Sequence, residues 1–292
     1  MISPPSVLCF GEVLWDSTPK GIFLGGAPVN VAYHLHELGL RSVPVSAVGN
    51  DYLGEEILRR IASWGVPTEY IAKIPTVRTG VVQVDLTHPD NPTYDIIDNV
   101  AWDLIPATAS LASEFAAASA VVFGSLSLRH ESNQRLLKEL MPGASGVKVF
   151  DVNLRQPYFN AASVLALAKS ADLVKVNIDE LELLHPFAVG SIEVMAATFS
   201  DLIGGKKLCV TAGKQGAGLW DGSKWHWEDA RATAVKGDAV GAGDAFLAAL
   251  ISELVAGRPI ASALSKACRL AEFVASSDGA QPIYDASSFA FA

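Results

Sequence analysis

Short apolar runs alternate with longer amphipathic stretches along most of this chain. The runs at 7–11, 43–48, 120–124, 148–151, 173–176 and 208–211 are rich in Val, Leu, Phe and Cys, which predicts strands buried on both faces. Helical spacing of apolar positions predicts helices at 28–38, 53–63, 132–141, 161–170 and 192–203, with two more, 242–255 and 260–276, closing the chain. Pro28 suits the first turn of its helix and Gly39 its stop. Strands alternating with helices predict an α/β fold with a mostly parallel central sheet covered on both faces.

Two stretches break that rhythm. Residues 13–24 continue past the first strand without an immediate helix. Runs 79–86 and 93–97 read as two strands joined by the turn-rich HPDNP of 88–92. A small β-layer built from about 13–25 and 76–103, projecting as a lid from one domain spanning 1–292, accounts for both. Near the end, 217–220 and 224–227 read as a hairpin around Asp221-Gly222. The pattern contains no internal repeat, low-complexity tract or long linker.

The segment Gly237-Asp-Ala-Val-Gly-Ala-Gly-Asp-Ala-Phe-Leu-Ala-Ala-Leu250 carries the clearest chemistry. Gly241, Ala242 and Gly243 open an apolar helix, and small residues there let backbone N–H groups approach an anion at the positive end of the helix dipole. Asp244 follows in the first turn. An aspartate there also stabilises a helix by itself, so a glycine-rich turn with a favourable first-turn charge is the plain alternative. A second segment, Gly25-Gly-Ala-Pro-Val-Asn-Val-Ala32, is ordinary turn-to-helix punctuation except for Asn30. An amide among apolar positions either caps local backbone or faces a polar ligand.

Together, in this order and more than 200 residues apart, these two segments resemble the paired signatures of the ribokinase-like, phosphofructokinase-B-type sugar kinases. Asp151-Val-Asn-Leu-Arg155, Asn177-Ile-Asp-Glu180 and Thr211-Ala-Gly-Lys-Gln-Gly216 are similar to further motifs of that family. Gly11-Glu-Val-Leu-Trp-Asp16 and Gly124-Ser-Leu-Ser-Leu-Arg129 look most like those of bacterial fructokinases. The resemblance implies a ribokinase-like three-layer sandwich with a small β-sheet lid. It implies ATP-dependent phosphorylation of a primary sugar hydroxyl, most like that of D-fructose, by in-line transfer. Asp244 would be the general base, and the backbone of Gly241, Ala242 and Gly243 the anion hole. Asp16, Gly25, Gly26 and Asn30 would hold the sugar, with Arg155 near the sugar or the transferred phosphate. Asn177 and Glu180 would organise Mg²⁺, Glu180 through water, while Thr211, Gly213 and Gly216 would lie along the nucleotide.

Several of these residues have plainer readings. Asn177 and Glu180 also make a capping box, and Arg155 also suits a surface ion pair. His34 and His36 pair with nothing at ligand spacing and read as packed or surface histidines. Trp225-His-Trp227 reads as an alternating strand. Ala239 stands where the family commonly has Thr. A monovalent cation such as K⁺ would use backbone near Asp238 and Gly279-Ala280, but Ile283 replaces the small polar residue that cation-binding relatives often carry, so this cofactor stays open.

Composition adds constraints. Of 292 residues, 50% are hydrophobic and 18% charged, which suits a compact fold rather than disorder. A net charge of −9 gives no general attraction to nucleic acid or anionic membrane, so anionic ligands must be held locally, here without a lysine in the glycine-rich loop. Cys9, Cys209 and Cys268 match no metal spacing and read as reduced thiols. No secretory signal or run near ~18 apolar residues is evident, so the cytoplasm is the expected compartment. The expected partners are a sugar and ATP, with a homodimer through exposed lid strands. Two readings compete: a kinase for 2-keto-3-deoxygluconate or a nucleoside, and a catalytically silent sugar- or nucleotide-binding regulator. A Rossmann dehydrogenase and a Walker-type kinase are disfavoured, because neither glycine fingerprint occurs.

Overall fold

The computed structural model describes residues 4–19, 21–85, 93–231 and 240–289. The HPDNP turn, Asp238 and Ala239 lie outside them. The chain opens with β1 (Ser6–Phe10), β2 (Leu14–Thr18) and β3 (Gly21–Gly25), and then enters α1 (Ala27–Glu37). Next come β4 (Arg41–Gly49), α2 (Tyr52–Ser63), β5 (Ile71–Ile74), β6 (Gly80–Asp85) and β7 (Thr93–Ile96). The middle of the chain holds α3 (Ala109–Ala117), β8 (Ala120–Gly124), α4 (Glu131–Leu140), β9 (Val147–Asp151) and α5 (Ala161–Ser170). It continues through β10 (Leu173–Asn177), α6 (Ile178–Leu184), α7 (Ile192–Leu202) and β11 (Lys207–Thr211). The hairpin β12 (Gly216–Trp220) and β13 (Trp225–Asp229) precedes α8 (Ala242–Val255) and α9 (Ile260–Ala275).

Nine strands form one sheet in the order β13-β12-β11-β10-β9-β8-β1-β4-β5. It is parallel from β5 to β11 and turns antiparallel only at the β12–β13 hairpin. Side chains alternate between its faces. Leu8 and Phe10 join Phe123, Phe150 and Val176 under α3 to α7, whereas Val7 and Cys9 join Val122, Val149 and Cys209 under α1, α8 and α9. Burying such side chains stabilises the fold by about 1.5–3 kcal/mol each, which makes the two apolar layers its main support. All three cysteines are buried free thiols, and burial pushes the Cys268 thiol up to about 12. Among the described residues, no helix is long and apolar enough to cross a membrane.

A second sheet, in the order β3-β2-β6-β7, stands apart from the first. It is pinned along one side, where Val13, Trp15 and Leu24 pack with Ile57 and Ile61 of α2. The Trp15 indole N–H donates to the Leu53 carbonyl at 3.0 Å, and the Arg60 guanidinium lies 4.7 Å over the Trp15 ring. The parallel topology has a direct consequence for chemistry. The C-terminal ends of β1, β9, β10 and β11 all emerge at one edge of the large sheet, which gathers residues from distant parts of the chain. Two elements escaped the sequence pattern, β5 and α3.

Candidate active site

The site begins at two helix starts that face each other. At the first, Gly26 adopts φ 110°, and a Cβ there would overlap the Glu12 carbonyl oxygen, so only glycine fits between β3 and α1. Beside it, a Cβ on Gly25 would overlap Asp16 Oδ2, so the absence of a side chain lets the Asp16 carboxylate lie against the turn. At the second, Gly241 takes the left-handed φ of 77° and caps α8 with its backbone packed on Ala280. The first-turn N–H groups after it have no intrahelical acceptor and point outward at the positive end of the helix.

Asn30 and Asp244 join the two starts. Asn30 Nδ2 donates to Asp244 Oδ2 at 2.7 Å across 214 residues of sequence. The Asn30 amide therefore meets the side chains of Asp244 and Gln281 rather than local backbone. Burial, and then the Asp151 carboxylate, pushes the Asp244 carboxyl up to about 7, against the opposing Asn30 hydrogen bond and the Lys175 and Arg155 charges. Burial likewise raises Asp16 to about 6, with Arg155 acting in the opposite direction. Glu12 is raised too, first by burial.

A cavity of about 1010 Å³ runs past these groups. Its lining includes Asp16, Gly26, Asn30 and Arg155, the loop residues Gly241, Ala242, Gly243 and Asp244, and also Asn177, Glu180, Thr211, Gly213 and Gly216. Gly25 backs Asp16 instead of lining the cavity. Arg155 faces the cavity, and its charge acts on Glu12, Asp16 and Asp244, so it belongs to the site's electrostatics. Asn177 and Glu180 do form a capping box at the start of α6. Each Glu180 oxygen accepts a backbone N–H, from Leu154 at 2.7 Å and from Asn177 at 2.9 Å.

Sequence reasoning missed three side chains here. Lys175, in the apolar run of β10, is buried, with its Nζ 2.8 Å from Asp151 Oδ1. Burial pulls its pKa down, but the Asp151 and Glu180 carboxylates outweigh this and hold it above the ordinary lysine value. A Cβ placed on Gly243 would stand 3.6 Å from Lys175 Nζ. The glycine-rich loop itself holds no lysine, as its sequence shows, but the Lys175 ammonium of β10 lies close to it. A lysine within an apolar strand run was the available signal, since lysine is almost never buried without a partner. The others are Asp151, quoted in a motif without a role, and Gln281, for which no local pattern exists.

The two histidines of α1 hold no metal-like arrangement. His34 is buried, with Nε2 3.0 Å from the Ala280 carbonyl and Nδ1 3.0 Å from the Tyr284 hydroxyl. The carbonyl can only accept, so Nε2 carries the proton and the tyrosine donates to Nδ1. Burial pushes His34 down to about 4, which keeps it neutral. Trp225 and Trp227 lie on β13 as an alternating pair with stacked rings.

Comparison with known proteins bears on this geometry. A family model described as pfkB family carbohydrate kinase matches residues 20–286. Fructokinase-2 of Solanum lycopersicum is 28% identical over 275 residues, covering 85% of this chain and 81% of that protein. A Pyrococcus horikoshii protein described as an uncharacterized sugar kinase has been solved in complex with ATP. That structure superposes with a TM-score of 0.77 at 26% identity, covering 94% of this chain and 93% of that one. The fructokinase of Vibrio cholerae O395, solved with fructose, ADP and calcium ion, superposes with a TM-score of 0.83 at 24% identity over 96% of both chains.

Proposed function

Because the chain belongs to the pfkB family of carbohydrate kinases, we propose that it transfers the γ-phosphoryl group of ATP to a primary hydroxyl of D-fructose, with Asp244 as general base. The observation that carries this reading is Asp244 itself, held by Asn30 beside the open start of α8 and with a pKa near neutrality. A general base works best when its pKa lies near the working pH, and the role contributes roughly 10²–10⁴-fold. Phosphoryl transfer otherwise needs positioning and charge stabilisation. The N–H groups after Gly241 supply donors worth about 3 kcal/mol each when well placed, and the Lys175 ammonium below Gly243 adds a fixed positive charge. Asp16 and Asn30 offer polar groups to sugar hydroxyls, while Leu14, Val82, Ile96 and Leu126 give the cavity an apolar wall. The small sheet that carries Leu14 and Val82 closes as a lid and excludes water, the competing acceptor. Its outer strand β3, with Ile22 and Phe23 exposed, is the edge through which two copies would pair.

Asn177 and Glu180 fit a water-bridged Mg²⁺. Such an ion keeps several waters and needs one or two protein carboxylates plus phosphate oxygens, and Glu180 presents a buried carboxylate to the cavity. Bound there, the ion would neutralise ATP phosphate charge. Excess chelator should abolish turnover and Mg²⁺ restore it. Glu180→Gln leaves one backbone N–H without its acceptor, at a cost of about 1–3 kcal/mol, and should also raise the Mg²⁺ needed for half-maximal rate. A lowered melting temperature with an unchanged Mg²⁺ requirement would assign Glu180 to capping alone.

The acceptor is tested by ADP release over a panel of hexoses, 2-keto-3-deoxygluconate and nucleosides. Fructose should have the highest kcat/KM. A nucleoside or 2-keto-3-deoxygluconate exceeding it by about tenfold, equivalent to about 1.4 kcal/mol of transition-state binding, would overturn the assignment.

A further inference from the structure

The C-terminal segment that follows α9 reaches back to the site. Gln281 places its amide Nε2 against two acceptors, the Leu24 carbonyl at 3.1 Å and Asn30 Oδ1. Its neighbours are fixed by α1. Tyr33 donates its hydroxyl to the Pro282 carbonyl at 2.9 Å, and His34 holds the Ala280 carbonyl and the Tyr284 hydroxyl. Ala280 also packs on Gly241, the cap of α8. The Gln281 side chain is therefore anchored at its base and engaged at its tip.

This arrangement decides which way Asn30 faces. A carboxamide has one accepting and one donating end. Gln281 presents only N–H groups to Asn30, so Asn30 must turn its oxygen toward Gln281 and its nitrogen toward Asp244. The reversed amide would set N–H against N–H on one side and oxygen against carboxylate on the other. Without Gln281, the reversed amide becomes tolerable once Asp244 is protonated, because the acid O–H then donates to Asn30 Oδ1.

We propose that Gln281 is a positioning residue, which fixes Asn30 as a donor to Asp244 and so keeps Asp244 in the carboxylate form that accepts a proton. The inference deepens the role given to Asp244 above and rests on that reading for its catalytic consequence. The groups acting on Asp244 from the surrounding elements are Asn30 on α1, Asp151 on β9, Arg155 after β9 and Lys175 on β10. Of these, Asn30 alone has an orientation that a neighbour can reverse. The Asn30 hydrogen bond lowers the Asp244 pKa, so its loss moves the titration upward.

The test uses full-length protein labelled with ¹³C-carboxyl aspartate, with the Asp244 signal assigned by its disappearance in Asp244→Asn. Gln281→Met removes the donors at similar length. Gln281→Glu offers an acceptor instead and draws the Asn30 nitrogen away from Asp244. The Asp244 midpoint should rise by about one pH unit in the Met variant and further in the Glu variant. The acid limb of kcat should move with it, leaving about a fivefold loss at pH 7 that recovers near pH 9. A merely structural role would lower the melting temperature without moving either midpoint. Either variant that folds decides the matter, and an unmoved Asp244 midpoint in it overturns the proposal. Absence of sugar phosphorylation by the parent would sink the kinase reading but leave the titration test standing.

Discussion

Asp244→Asn is expected to lose about a hundredfold or more in kcat while folding at least as well as the parent at pH 8. The two effects have one cause. Burial, with Asp151 adding to it, raises the Asp244 carboxyl to about 7, above the ordinary aspartate value near ~3.9 that the unfolded chain would show. A folded state with the higher pKa binds the proton more tightly, so it loses stability as that proton is removed. This loss is absent below about pH 4, grows through the acid range and is complete just above about pH 7. The asparagine variant cannot ionise and escapes it. Thermal unfolding against pH should therefore show the variant gaining on the parent between about pH 4 and 7. Single-turnover phosphorylation should fall at every pH, with sugar and nucleotide affinities changed far less. If Asp244 only supported the start of α8, its loss would instead cost about 0.3–1 kcal/mol and spare turnover. A folded variant with near-normal turnover would sink the proposed mechanism.

How much of this was legible in the sequence depends on whether the information is local. The parallel strands and amphipathic helices announce themselves through continuous apolar blocks and helical spacing, and α5 and α8 fall on their predicted bounds. The β5 strand is four residues at a sheet edge, IAKI, with Lys73 exposed, too short to show alternation. The α3 helix, ASLASEFAA, buries only Leu111 and Phe115 among Ala and Ser, so its apolar stripe is nearly invisible. The site divides in the same way. Gly26 and Gly241 are readable because the turn into α1 and the cap of α8 require glycine, whereas Asn30 and Asp244 stand out locally and take their expected roles only from the family resemblance. Lys175 was legible in principle, as an ionisable residue inside an apolar block. Gln281 was not, because nothing near it in sequence tells that its partner lies 251 residues away. Only folding brings such a pair together.

Lys175→Met should produce the largest loss of stability of any change at the site, and pairing it with a second change separates structure from chemistry. Lys175 and Asp151 form an ion pair at 2.8 Å with side chains only 8% and 6% exposed. Removing one member of such a pair strands the other charge in a poorly solvated place, which typically costs about 3–5 kcal/mol. Removing both charges does not, because two neutral groups of similar volume can fill the same space. The double variant Asp151→Asn with Lys175→Met should therefore recover most of the stability lost by the single one. Turnover should follow a different course. Asp151 raises the Asp244 pKa and Lys175 lowers it, so removing both leaves the base near its original poise. What the double variant still lacks is the positive charge beneath Gly243. If that charge serves the transferring phosphoryl group, kcat should stay at least about tenfold below the parent in the refolded double variant, a deficit of about 1.4 kcal/mol. Recovery of both stability and turnover would instead reduce the lysine to a structural counter-ion of Asp151. Urea unfolding and single-turnover assays on the parent, the single variant and the double variant measure both quantities. The expected result is stability regained with turnover still depressed, since a buried ammonium beneath the start of α8 would act on a phosphate held there through a medium that screens it far less than water does.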